Sequence, residues 1–202
     1  MSKLLIKKIS SYESDKYIND ICIVHKMAYS NVHLTKHLPK KILHIYYKNL
    51  VKNSDVTLIS INKKKVNGFV IAGSNLNKVT KKFIKYNKLI IIGILLVKPY
   101  ILLRKIFSFF ININQYIFLN THKVTNYKMR LFSIAVVNSF QSKGIGGNLI
   151  QALEEEFKNM GIENYGLSVK TNDVKAILFY KKNTFVKEFQ DSENTYMYKN
   201  LR

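Results

Sequence analysis

The chain has 202 residues, 47% of them apolar, one cysteine and a formal net charge of +21. A single cysteine excludes an intramolecular disulfide, and the apolar content excludes a disordered chain. The apolar stretches 89–97 and 100–103, cut by Lys98-Pro99, fall short of the roughly 20 residues a membrane span needs.

Residues 4–9 alternate loosely and read as a first strand; Ser14 to Tyr29 places Tyr17, Ile18, Ile21, Val24 and Ala28 near helical spacing. Asn31 to His37 is polar and reads as a loop. Pro39 suits the first position of a second helix running to about Val51, with Ile42, Leu43, Tyr46 and Leu50 inward. Val56 to Ile61 and Val66 to Ala72 are β-branched runs joined by Asn62-Lys63-Lys64-Lys65, a hairpin with a basic turn. Residues 76–126 form an apolar, basic insertion of two or three helices, with a short strand near Tyr116 to Leu119. Lys128 to Val137 reads as a strand whose continuous apolar end, Ile134 to Val137, is expected of burial on both faces. Ile145 to Met160 is a helix closed by Gly161, Ile162 to Lys170 a strand, and Asn172-Asp173 cap a helix to about Lys182. Phe185 to Phe189 and Thr195 to Tyr198 close the chain as an antiparallel pair. This order predicts an α/β (α+β) fold: one domain, 1–202, with a mixed, mostly antiparallel sheet flanked by helices. The single cysteine, and the absence of a signal-length apolar run after the first lysines, lead us to expect a cytoplasmic protein.

Charge is distributed unevenly. Four carboxylates lie in 1–55, eight in 154–202 and none in 56–153. A field of one sign concentrates anionic ligands, so a phosphate-bearing substrate is expected. Nucleic acid ranks second as a partner, because no zinc-finger spacing, RNP-like segment or clear recognition helix occurs.

The segment Ile134-Ala135-Val136-Val137-Asn138-Ser139-Phe140-Gln141-Ser142-Lys143-Gly144-Ile145-Gly146-Gly147 runs from strand through glycine turn into helix. Amides at a helix start lack intrahelical partners and the macrodipole is positive there, so the segment is built to accept an anion. It lacks the Gly-Lys-Ser/Thr ending of a P-loop and the spacing of a dinucleotide fingerprint. It resembles the Gln/Arg-x-x-Gly-x-Gly/Ala pyrophosphate motif of the GNAT superfamily of acyl-CoA N-acyltransferases, matched by Gln141, Gly144 and Gly146. The stretch Asn172 to Phe185 looks like the same family's Asn-x-x-Ala-x-x-Phe-Tyr-x-Lys-x-Gly-Phe segment, with Thr184 in place of the glycine. The resemblance covers 128–189 well and the layout of 3–74 more loosely.

The resemblance implies that coenzyme A is the co-substrate, with its pyrophosphate on the backbone of Gln141, Ser142, Lys143, Gly144, Ile145, Gly146 and Gly147. It implies that Ala135 and Val136 hold the pantetheine arm and thioester through their backbone, Val136 offering its amide to the oxyanion. It places Asn172 and Phe179 at the cofactor and Tyr180 near the sulfur as general acid. No Asp or Glu lies on the strand 128–137, so no base comes from it. An amine of pKa near 8 needs only about 1.4 kcal/mol to be neutral at pH 7, against about 4.6 for a lysine. A sugar amine or α-amine is therefore favoured, deprotonated through water or through His33 or His37. No metal is expected: His33, His37 and His44 have no cysteine or carboxylate partners nearby. Ser133 has no His-Asp arrangement to make it a nucleophile.

The positive middle and the apolar insertion look like those of sugar N-acyltransferases in the superfamily, so the favoured acceptor is a nucleotide-linked (dTDP or UDP) amino sugar. The alternatives are acetylation of a peptide, protein or small-molecule amine, and a non-catalytic basic module that binds polyanions. For the insertion, a homodimer contact or substrate lid is favoured over a membrane-surface helix pair.

Overall fold

The computed structural model of the chain describes residues 5–10, 13–31, 33–103 and 127–202. Its elements in order are β1 (Leu5–Lys8), α1 (Ser14–Ala28), a 3-10 turn (Leu34–His37), α2 (Lys40–Lys52), β2 (Val56–Asn62), β3 (Lys65–Gly73), α3 (Leu76–Tyr86), α4 (Lys88–Val97), β4 (Arg130–Val136), α5 (Ile145–Asn159), β5 (Asn164–Lys170), α6 (Val174–Lys182), β6 (Val186–Gln190) and β7 (Asn194–Asn200). This is the order expected from sequence. The strand expected near Tyr116 lies outside the described residues. Pro39 is the N-cap of α2 and not its first helical residue.

The seven strands form one sheet in the order β1-β2-β3-β4-β5-β7-β6. Every neighbouring pair is antiparallel except β4 and β5. In the β2–β3 hairpin Asn62 pairs with Lys65, so Lys63 and Lys64 form a two-residue turn, both at positive φ (47° and 64°). Positive φ at both central residues costs L-residues about 1–2 kcal/mol each; it is offset because this two-residue turn matches the twist of the flanking strands, and both lysines are exposed.

Two apolar cores lie on opposite faces of the sheet. On one, α1 and α2 lay Ile18, Ile21, Val24, Leu43 and Leu50 over Ile59, Phe69 and Ile71. On the other, Leu149, Ile150, Leu153 and Phe157 of α5 meet Leu58, Val70, Tyr165 and Leu167, and Tyr180 of α6 joins them. Each such side chain contributes about 1.5–3 kcal/mol by leaving water. Glu154 of α5 ties the second layer to β5 and β7, accepting from Lys199 Nζ at 2.6 Å and Tyr165 Oη at 2.8 Å. Gly68 of β3 lets α5 approach: a Cβ there would sit 3.1 Å from the Ala135 carbonyl and 3.2 Å from Leu149 Cδ1. α3 packs on α2 through Phe83 and Tyr46, whose rings are 4.9 Å apart. Among the described residues no helix is long and apolar enough to cross a membrane.

The apolar end of β4 is not buried on both faces. Burial alternates along the strand, Leu131, Ser133 and Ala135 being covered while Ile134 and Val136 are only half-buried. The reason is a break in the sheet.

Candidate active site

β4 and β5 are parallel neighbours, yet their ladder holds a single pair, Arg130 with Gly166, closed by the Gly166 N–H donating to the Met129 carbonyl at 3.1 Å. Beyond it β5 continues against β7 alone, as far as Lys170 with Asn194. The C-terminal half of β4 is thus paired on one side, with β3, and faces a slot on the other. Antiparallel pairing decides which of its backbone groups face that slot. The Val137 N–H donates to the Asn67 carbonyl of the β3 side at 2.9 Å, and Ala135 lies opposite Phe69 in the same ladder. Successive residues alternate direction, so Ala135 spends its backbone groups on β3 while Ile134 and Val136 turn theirs to the slot. The Val136 carbonyl accepts from Gln141 Nε2 at 3.1 Å, in keeping with that direction. Of the two residues expected to use their backbone here, Val136 is placed to do so; Ala135 is not, and Ile134 takes its place.

The chain leaves β4 through a 3-10 turn, Asn138–Phe140, and enters α5 with Ser142 at φ 62° and Gly144, the N-cap, at φ 78°. The first intrahelical bond runs from Asn148 N–H to the Gly144 carbonyl at 3.0 Å, so the amides of Gly144 to Gly147 precede the helical ladder. No acidic residue lies in this first turn; the helix carries its carboxylates at Glu154, Glu155 and Glu156, near the other end. The positive end of the helix is therefore uncompensated by side chains. A Cβ built on Gly144 meets nothing within 4 Å, and residues 141–144 are exposed. Gln141 differs from its neighbours. Its N–H donates to the Asn138 carbonyl at 3.2 Å and its side-chain amide bridges Val136 and Asn138 Oδ1, so it braces the turn and its own amide is already used. Lys143 stands over the Phe140 ring, its Nζ 5.1 Å from the centroid.

This strand, turn and helix lie within residues 110–185, which match the sequence model of the acetyltransferase (GNAT) family. Over that stretch the chain is similar to GNAT acetyltransferases. Among solved structures it is similar to the PaiA N-acetyltransferase of Thermoplasma acidophilum in complex with coenzyme A (14% identity, 98% of this chain and 99% of that one, TM-score 0.58). It is also similar to an Escherichia coli N-acetyltransferase named for a ribosomal-protein alanine (13%, 98% and 94%, TM-score 0.57). A third is the Salmonella typhimurium protein yncA with its cofactor acetyl-CoA (11%, 98% and 94%, TM-score 0.55). At these identities the likeness is one of fold. None of the curated proteins compared matches the sequence.

On the far side of the slot, α6 follows Asp173, whose carboxylate accepts from the Ala176 N–H at 3.0 Å. The cap is Asp173 alone, and Asn172 stands exposed ahead of it. Phe179 lies against α5: a Cβ on Gly146 would come within 3.0 Å of its ring. That contact seats α6 on α5, while the Asn183 side chain closes the end of α6 by donating to the Phe179 carbonyl at 2.8 Å. Tyr180 is buried, its ring centroid 5.4 Å from Phe185. Burial first, then the nearby Tyr29 and Asp173, push its hydroxyl well above the ordinary tyrosine range, so it keeps its proton at neutral pH.

The opposite wall comes from α1, where a network not foreseen from sequence appears. Tyr29 Oη and Ser133 Oγ of β4 are 2.8 Å apart, and Tyr47 Oη lies 2.7 Å from Nδ1 of His25, which is 1% exposed. Burial, reinforced by His33 and Lys26, holds the His25 imidazole down to about 3, so it is neutral. His33 sets its ring edge-on to Tyr29 at 4.8 Å, next to this network. His37 turns elsewhere: its Nε2 lies 2.6 Å from the Asn31 carbonyl and 3.3 Å from Tyr100 Oη, which pins the loop after α1 to the insertion. The structure brings His33 toward the β4 strand and uses His37 as a loop tie. The four-residue spacing of His25 and Tyr29 at the end of α1 is the signal in the sequence that points to this wall; His33 lies beyond the helix, in extended backbone.

Proposed function

We propose that the protein moves an acyl group from acyl-CoA to a primary amine by direct attack, with the slot between β4 and β5 as the reaction site. The observation that carries this is the juxtaposition of an uncompensated helix start, Gly144 to Gly147, with a strand that turns the backbone of Ile134 and Val136 into an open gap. The residues present fit coenzyme A: amides of 142–147 with open space at Gly144 for a diphosphate, and a slot flanked by apolar Ile134, Val136 and Phe179 for an uncharged arm. Coenzyme A, when bound, supplies the acyl group as a thioester.

The chain's own groups have three tasks. Slot-facing amides of β4 donate to the carbonyl oxygen on which charge develops; such preorganised donors are worth a few kcal/mol of barrier. Tyr180 holds its proton on Oη and can deliver it to a departing thiolate. Asn172 offers an exposed amide side chain at the slot rim. No carboxylate lies on β4, so no base comes from that strand; in this reading water or His33 takes the amine's proton, and a weakly basic amine gives it up at least cost. The positive field of 56–153 supports a phosphorylated acceptor, and nucleotide-linked amino sugars are the first to try.

Calorimetry with acetyl-CoA tests the binding half. Thiol release from acetyl-CoA in the presence of dTDP- or UDP-amino sugars, peptides and polyamines tests the acceptor. Saturable binding with turnover on the amino sugars is expected. Turnover confined to peptides or polyamines would remove the acceptor proposal, and absence of acetyl-CoA binding would remove the whole reading.

A further inference from the structure

The GNAT site makes no use of the outer face of the insertion. α3 runs almost directly into α4 through Asn87, whose N–H and side-chain amide both donate to the Phe83 carbonyl (3.0 and 2.9 Å) and whose own carbonyl accepts from Ile91 at 3.1 Å. On α4, Ile91 is buried and Ile94 packs on the α1–α2 core. The opposite side of the helix carries Leu89, Ile92, Leu96 and Val97, exposed by 76%, 49%, 73% and 74%. A helix lying on a water-facing surface keeps its apolar stripe inward; α4 is apolar on both sides. Next to it, Lys81, Lys82, Lys85 and Lys88 are all exposed. Residues 56–153 hold fifteen Lys and Arg and no Asp or Glu, so no neighbouring acid in the sequence answers them.

We propose that the outward face of α4 docks on an anionic lipid surface, its Leu and Ile side chains among the acyl chains and the α3 lysines against the head-group phosphates. At ten residues the helix is about 15 Å long, half the roughly 30 Å of a bilayer core, so it lies in the interface plane as amphipathic anchors do. A second copy fits this face poorly. A two-fold contact pairs a patch with itself, and here it would bring the same lysines together with no carboxylate between them. Negatively charged head groups supply what a second copy lacks.

The test is sedimentation of the full chain with vesicles of phosphatidylcholine alone and with about 30% phosphatidylglycerol, repeated with the triple variant Leu89→Ser, Ile92→Ser, Leu96→Ser and with Lys81→Gln, Lys82→Gln, Lys85→Gln. These positions are exposed, and an unchanged melting curve checks that the variants fold. Binding at least about tenfold tighter to the anionic vesicles is expected, weakened by salt and by the lysine variant and lost in the triple variant. Equal or absent binding to both vesicle types, or wild-type binding by the triple variant, would overturn the proposal. So would a lipid-free dimer that the triple variant dissolves. Acetyl-CoA calorimetry on the same samples reports separately on the GNAT site, which does not depend on this face.

Discussion

His25 should make the stability of this protein depend on pH in a way that one substitution removes. Its imidazole is 1% exposed and held down to about 3 by burial, against 6.5 for the ordinary group. Between those two values the unfolded chain binds a proton that the native one does not. Stability therefore falls as pH drops through 6.5 and goes on falling to about 3. Linkage puts the loss between pH 7 and pH 5 at about 2 kcal/mol. The measurement is urea unfolding at pH 7, 6 and 5 for the wild type and His25→Gln, which removes the titration and retains an acceptor for Tyr47 Oη. Carboxylates titrate alike in both proteins and cancel in the difference, so the gap between the two should shrink or invert by about 2 kcal/mol over this range. Parallel pH dependences would show that His25 is solvated or charged in the native state, and the account of the α1 network would fail with it.

Gly144→Ala places a side chain at φ 78° in otherwise open space, so it should cost about 1–2 kcal/mol in unfolding free energy and, by shifting the loop amides, weaken acetyl-CoA binding about tenfold in calorimetry. Tyr180→Phe should lower kcat by about a hundredfold while leaving the acetyl-CoA dissociation constant unchanged; an unaltered kcat would take the proton donor role from Tyr180. Leu149→Ala, at a fully buried position against Gly68, should destabilise by about 2–5 kcal/mol in urea. The Cys22 thiol, pushed up to about 11 by burial against the opposing charges of Lys26 and Lys40, should react with thiol reagents at pH 8 only on unfolding. Fast labelling of the native protein would contradict its burial.

The amino-acid sequence by itself determined what is contiguous or periodic. The order of elements follows from hydrophobic spacing, and the turn from Gln141 to Gly147 is readable because its anion-accepting groups belong to one uninterrupted stretch of backbone. What it could not carry is anything that depends on which strand lies beside which. Ala135 and Val136 look equivalent in sequence; the Val137 to Asn67 hydrogen bond assigns the backbone of one to the ladder and of the other to the slot. The half-exposure of Ile134 and Val136 reverses the expectation of two-sided burial, because β5 pairs with β4 only at Arg130. Gln141 carries the motif, yet folding turns its amide inward to brace the loop. Tyr29 and Ser133, 104 positions apart, and His25 with Tyr47 meet only when α1 and α2 settle on the sheet. Local backbone propensity is written residue by residue, whereas the register of a ladder and the side chains that meet across a core are set by packing among distant segments, and so only the tertiary structure decided them.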